Sequence, residues 1–183
     1  ELYGLSLTIP LFRILRRLWD IDIQGRSLLA LVCALARDPL LRATANVVLP
    51  MVVGSELLRS TMTYAIHETT RNRLNDSTID KVARNAASSW AQSGHLAGRV
   101  RKIRQEVQPM PGSVAYAIWF GSLQGLAGDN LLRSPWAHVL SQSPGMLIDL
   151  TLRAKQIGLL NANYGGGVIE IGISPPKKIE AIM

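Results

Sequence analysis

Residues 143–174 read SPGMLIDLTLRAKQIGLLNANYGGGVIEIGIS, and their periodicity changes once, at Gly158. Ahead of it, Ser143 and Pro144 form a helix start: the serine hydroxyl can accept a free backbone amide, and the proline ring is preset for the first turn. A helix is expected from Pro144 to Ile157, stopped by Gly158. Beyond it, Leu159–Tyr164 and Val168–Ser174 flank Gly165-Gly166-Gly167. Ile169, Ile171 and Ile173 alternate with Val168, Glu170 and Gly172 as the two faces of a half-buried strand do. Two more helices are expected before this one, at 113–127 and in a short piece opened by Ser134-Pro135. Three helices followed by a two-stranded hairpin is the order of a winged helix.

Upstream the theme recurs. Ser77-Thr78-Ile79-Asp80 has the form of a capping box, so a helix is expected to open there, run to Ser93 and stop at Gly94. His95 to Val107 then reads as an extended, strongly basic ribbon. The junctions Ser93-Gly94-His95-Leu96 and Ile157-Gly158-Leu159-Leu160 are alike, which makes two winged-helix-like units the expectation, although only the second has a glycine turn. The first third reads as helices throughout. Leu11, Ile14, Leu15 and Leu18 recur at helical spacing up to about Trp19, and a second helix spans Arg26–Arg37. A third is opened by Pro39 and closed by Pro50 and Gly54, and a long fourth runs from Ser55 to about Arg73. The fold expected is mainly α: a helical N-terminal bundle (1–74), a basic helix with its ribbon (75–111), a winged-helix-like unit ending in a β-hairpin (112–176) and a tail (177–183).

With 48% hydrophobic and 18% charged residues in 183, the composition is that of a folded domain. The longest uncharged stretch, 22 residues from Val107 to Gly128, holds two prolines and four glycines. Its strongly apolar part, 114–127, makes about 21 Å of helix, short of a ~30 Å hydrocarbon core. A buried core helix is expected instead, in which Gly121 and Gly125, four residues apart, let another backbone approach closely. Residues 1–17 lack the order of basic patch, apolar core and cleavage site that export needs, so a cytoplasmic protein is expected. Cys33 lies in an apolar run and reads as a small core residue.

The net charge of +7 points to an anionic partner. Its distribution is uneven: Arg71–Arg104 carries eight basic and two acidic residues, +6, while the remaining 149 residues carry only +1. At 100° per residue the 78–92 helix puts Ile79, Val82, Ala83, Ala86 and Trp90 on one side. Thr78, Lys81, Asn85, Ser88 and Gln92 fall on the other, with Arg84 at its border. That second face suits a nucleic-acid groove. It is narrow, carries hydrogen-bonding groups and has a small serine where bulk would block approach, while Arg84 can reach a phosphate. In an extended ribbon Arg99, Arg101 and Ile103 would face one side and Val100, Lys102 and Arg104 the other, leaving cations on both. The expected duplex-DNA surface is therefore Thr78, Lys81, Arg84, Asn85, Ser88, Arg99, Arg101, Lys102 and Arg104. Helix 144–157, with only Asp149, Arg153, Lys155 and Gln156 as large polar groups, suits packing or protein contact better.

No catalytic or metal-binding pattern is present in the sequence. His67, His95 and His138 have no i, i+4 partner and read as surface or capping residues. The glycine triplet is followed by Val168-Ile169-Glu170 rather than the Lys-Ser or Lys-Thr of a P-loop, and Glu170-Ile171-Gly172 lacks the lysine of a nuclease strand. Neither cofactor nor enzymatic activity is expected.

Ser77-Thr78-Ile79-Asp80-Lys81-Val82-Ala83-Arg84 and Gln92-Ser93-Gly94-His95-Leu96 sit in a chain with a helical first part and a winged-helix-like second half. In this organisation it resembles the small A-type accessory proteins of BREX phage-defence systems, the BrxA family. The resemblance implies a non-enzymatic DNA-binding accessory protein of an anti-phage locus, acting beside larger proteins of the defence complex. Two other readings fit the same residues: a scaffold that docks a partner through its helical third, and a small winged-helix transcription regulator.

Overall fold

The computed structural model describes residues 10–71 and 73–173, which are mainly helical with two short antiparallel strand pairs. These residues divide into two units, the first of residues 10–15 and 30–108, the second of 16–29 and 109–173. The division falls within α1 (Pro10–Ile21) and α2 (Arg26–Arg37). The expected tail, 177–183, lies outside the described residues.

In the first unit, Asp38 opens α3 (Pro39–Ala43) by accepting from the amides of Leu40 and Leu41 at 2.9 and 3.0 Å. The single helix expected after Pro39 is broken at Thr44, whose hydroxyl donates back to the Leu41 carbonyl at 2.6 Å, and α4 (Ala45–Val48) follows. The next helix begins at Arg59 rather than Ser55: α5 is Arg59–Thr70. The four residues ahead of it are held extended along β2 (Ile103–Arg104). Gly54 N donates to Arg104 O (2.9 Å), Arg104 N to Ser55 O (2.8 Å) and Leu57 N to Lys102 O (2.7 Å). On its other edge β2 pairs with β1 (Leu96–Ala97), Leu96 opposite Arg104 and Ala97 opposite Ile103. The helix between α5 and this hairpin, α6, is Asp76–Gln92.

In the second unit α7 (Pro111–Leu123) is buried on nearly every side, as its unbroken apolar sequence requires. Tyr116 and Trp119 stack at 6.3 Å between ring centroids, and Phe120 packs on Trp136 at 4.7 Å. Gly121 admits Leu131 and Ser134 so closely that an added Cβ would press on the Leu131 side chain at 3.0 Å. A 3₁₀ turn (Gly128–Leu131) lies against the last strand, and α8 (Pro135–His138) and α9 (Pro144–Gln156) are capped by Ser134 and Ser143 as expected. Strands β3 (Asn161–Gly165) and β4 (Val168–Gly172) form the expected hairpin, turning through Gly166 and Gly167, both at positive φ. Ile169 is buried while Val168 and Glu170 are exposed, so the alternation holds. Among the described residues no helix is long and apolar enough to cross a membrane.

A buried carboxylate ties this unit's segments together. Asp22 accepts from the amide of Gly25 at 2.8 Å through Oδ1, and from the amide of Ser113 at 3.0 Å through Oδ2. It thus caps the starts of two helices distant in sequence. A Cβ at Gly25 or at Gly112 would collide with it, which explains both glycines. Asp22→Ala leaves two buried amides without their acceptor, each costing about 1–3 kcal/mol. The expected loss is about 2–4 kcal/mol by urea denaturation, with Asp22→Asn losing less; a loss under about 0.5 kcal/mol would show that the carboxylate does not hold these segments.

Candidate nucleic-acid interface

The start of α6 lies two residues before the expected capping box. Asn75 Oδ1 accepts from Thr78 N at 2.8 Å, and Ser77 is already inside the helix. A carboxamide one position before an aspartate competes better for the free amides than a serine does within the first turn. Ile79, Ala83, Ala86 and Trp90 are buried, which points Lys81, Arg84, Asn85, Ser88 and Gln92 outward, all exposed, with Thr78 half-buried. The rotation of the helix is set by Trp90, whose indole Nε1 donates to Thr44 Oγ1 at 2.8 Å within the core. Arg59 of α5 pairs with Asp80 at 2.6 Å and ties the two helices at the surface.

The helix ends as expected at Gly94, φ +86°, but the segment after it is not an extended ribbon. His95 is fully buried, in contrast to the surface or capping role expected for it. Its ring meets Trp90 edge to face at 4.9 Å, and its Nδ1 lies 2.8 Å from Ser93 Oγ. The Ser93 hydroxyl also donates to Trp90 O at 2.9 Å. Leu96–Ala97 and Ile103–Arg104 then form a short hairpin whose loop, 98–102, is closed by Gly98 at φ +106°. A Cβ there would collide with the Arg101 carbonyl, so this position requires glycine.

The expected cations of this segment consequently have unlike roles. Arg99 and Arg101 are exposed in the loop, with Val100 between them 91% exposed, and Lys102 is half-buried. Arg101 is committed to Glu56, to which its Nε donates at 2.8 Å. Arg104 is a correction: at 3% exposure it is a buried structural residue, not a contact. Its guanidinium donates to the carbonyls of Gln105 and His95, and burial lowers its pKa from the ordinary value, although a guanidinium stays charged. The strand alternation that was expected to put Arg104 outside fails because only two residues on each strand pair, and Leu96 and Arg104 face inward together. Glu56 and Gly98 were not singled out by sequence. Glu56 lies 45 residues from Arg101, and no local pattern links them.

No protein-family model, curated protein or solved structure matches the chain.

The Arg101 hydrogen bond, reinforced by its charge, holds the Glu56 carboxyl below its ordinary value of 4.5. A lowered folded-state pKa means that fewer protons are bound in the fold than in the unfolded chain. The contribution of the pair is therefore complete above the ordinary value and is lost as pH falls through the folded one. An NMR titration of the Glu56 side chain should give a midpoint below 4.5 in the native protein that rises toward 4.5 in Arg101→Ala. An unchanged midpoint would show that the pair does not form in solution.

Proposed function

We propose that the protein binds duplex DNA, with α6 as the helix that enters the major groove and the 98–102 loop as a wing. The observation that carries this reading is the outward face of α6, where Lys81, Arg84, Asn85, Ser88 and Gln92 are exposed together on a helix whose opposite side is core. Such a face combines phosphate-seeking cations with amides able to pair bidentately with adenine. The order of elements supports a winged-helix architecture: the extended segment 54–57, lying between the first helices and α5, pairs beside the returning strand of the hairpin. The second unit repeats that order, with its 3₁₀ turn beside β4 and α8 and α9 ahead of the hairpin.

In this reading Lys81 and Arg84 on α6, with Arg99 and Lys102 on the loop, neutralise phosphates. Asn85 sets base preference, Ser88 gives room, and the half-buried Thr78 supports the helix start. Arg101 contributes less than its charge suggests because Glu56 already answers it. Arg104 fixes the base of the hairpin. The action is docking without catalysis. With the resemblance to the BrxA family, this supports a cytoplasmic accessory role in bacterial phage defence, exercised on DNA beside larger proteins.

Four phosphate contacts predict that the logarithm of affinity falls with the logarithm of salt concentration at a slope of about −3.6. Fluorescence anisotropy on nucleic-acid-free protein and random duplex measures it. Arg99→Ala with Lys102→Ala should weaken all duplexes alike and flatten the slope by about 1.8, whereas Asn85→Ala should change the ranking of sequences. Absence of duplex binding at low salt overturns the proposal.

A further inference from the structure

Helix α9 holds in the second unit the place that α6 holds in the first, immediately ahead of a hairpin, yet it presents a different surface. Leu147, Leu150, Thr151 and Ala154 are buried on one side. Along the edge of that side, Met146, Asp149, Arg153 and the C-cap Ile157 fall within about 80° of arc at 3.6 residues per turn. Asp149 and Arg153 are joined by a 3.0 Å ion pair, so the face carries no net charge and has nothing to attract a polyanion. Met146 and Ile157, 47% and 55% exposed, stand at its two ends. Two large apolar side chains framing a neutral charge pair are the composition of a protein contact.

We propose that this face binds a second copy of the chain, α9 against α9, antiparallel about a two-fold axis. The stripe is complementary to itself. From a midpoint between Met146 and Ile157, each lies about 8 Å along the helix axis, Asp149 about 4 Å on the Met146 side and Arg153 about 2 Å on the Ile157 side. The two-fold rotation therefore sets each Met146 opposite the other copy's Ile157. It also brings each Asp149 to within about 1.5 Å, measured along the axis, of the other copy's Arg153. Each intrahelical ion pair gains an intermolecular one, which is the self-complementarity that an isologous interface demands. An unrelated protein would need no such palindrome. A contact centred on a helix of 13 residues is small, so the dimer is concentration-dependent, with a Kd on the order of micromolar. This proposal does not rest on DNA binding.

Sedimentation velocity on the full chain, freed of nucleic acid, tests it across about 1–200 µM, the range such a contact spans. The native protein should pass from monomer to dimer. Asp149→Arg sets two arginines against each other at both contacts and Arg153→Asp does the same with two aspartates, so each variant should associate at least tenfold more weakly. An equimolar mixture of the two should dimerise again, because the arginine introduced in one variant then meets the aspartate introduced in the other, and the remaining native arginine meets the remaining native aspartate. That recovery distinguishes the interface from a folding defect, which mixing cannot repair. A native protein that stays monomeric throughout, single variants that dimerise as the native chain does, or a mixture that stays monomeric would each overturn the proposal.

Discussion

The outward surface of α6 depends on one buried hydrogen bond, from the Trp90 indole to the Thr44 hydroxyl. Both residues are fully buried, and Thr44 passes the bond on to the Leu41 carbonyl. An indole N–H buried without an acceptor costs about 1–3 kcal/mol, so rotations of α6 that move Trp90 away from Thr44 are penalised. The bond thus converts an amphipathic helix, which tolerates some roll, into one whose polar face has a fixed direction. It also accounts for the break between α3 and α4, because the threonine that receives the indole turns its hydroxyl onto the helix that precedes it. His95 packs on the same indole, and the hairpin begins one residue later. Helix face and loop therefore share a single anchor.

Much of the fold was legible because it is written in local chemistry. Ser134-Pro135, Ser143-Pro144, Gly94 and the isoleucine alternation of β4 each act within a few residues, and each stands where the sequence places it. The differences arise where a distant segment decides. Residues 55–58 read as a helix start on their own, but β2 offers their backbone a ladder, and the helix waits until Arg59. Arg104 reads as a surface cation by alternation, but its register opposite Leu96 turns it inward, onto carbonyls. His95 reads as polar, but a tryptophan five residues earlier and a serine two residues earlier make a pocket for it. The candidate face on α6 was legible since a helix projects its own pattern. The candidate loop was only partly so, because a hairpin's faces depend on where pairing stops.

The same distinction governs the charge. Counting residues gives +6 between Arg71 and Arg104, yet several of the charges in that segment already have partners within the fold. Arg104 is in the core, Arg101 faces Glu56, and the acid Asp80 is taken by Arg59 from outside the segment. Glu56 lies just ahead of α5 and Arg59 opens it, so this short stretch alters the electrostatics of the basic segment at two points. Net charge by sequence window is a property of the chain, whereas a polyanion meets the potential that remains after internal pairing. On the candidate face and loop, what remains is concentrated on Lys81, Arg84, Arg99 and Lys102.

Two helices in equivalent places thus diverge by a handful of side chains. On α6 the large outward residues are cations and amides; on the α9 stripe the one cation has an acid a turn away, and the ends are methionine and isoleucine. A face of the first kind gains free energy from a dense line of phosphates, and a face of the second from an apolar surface with its own neutral pair.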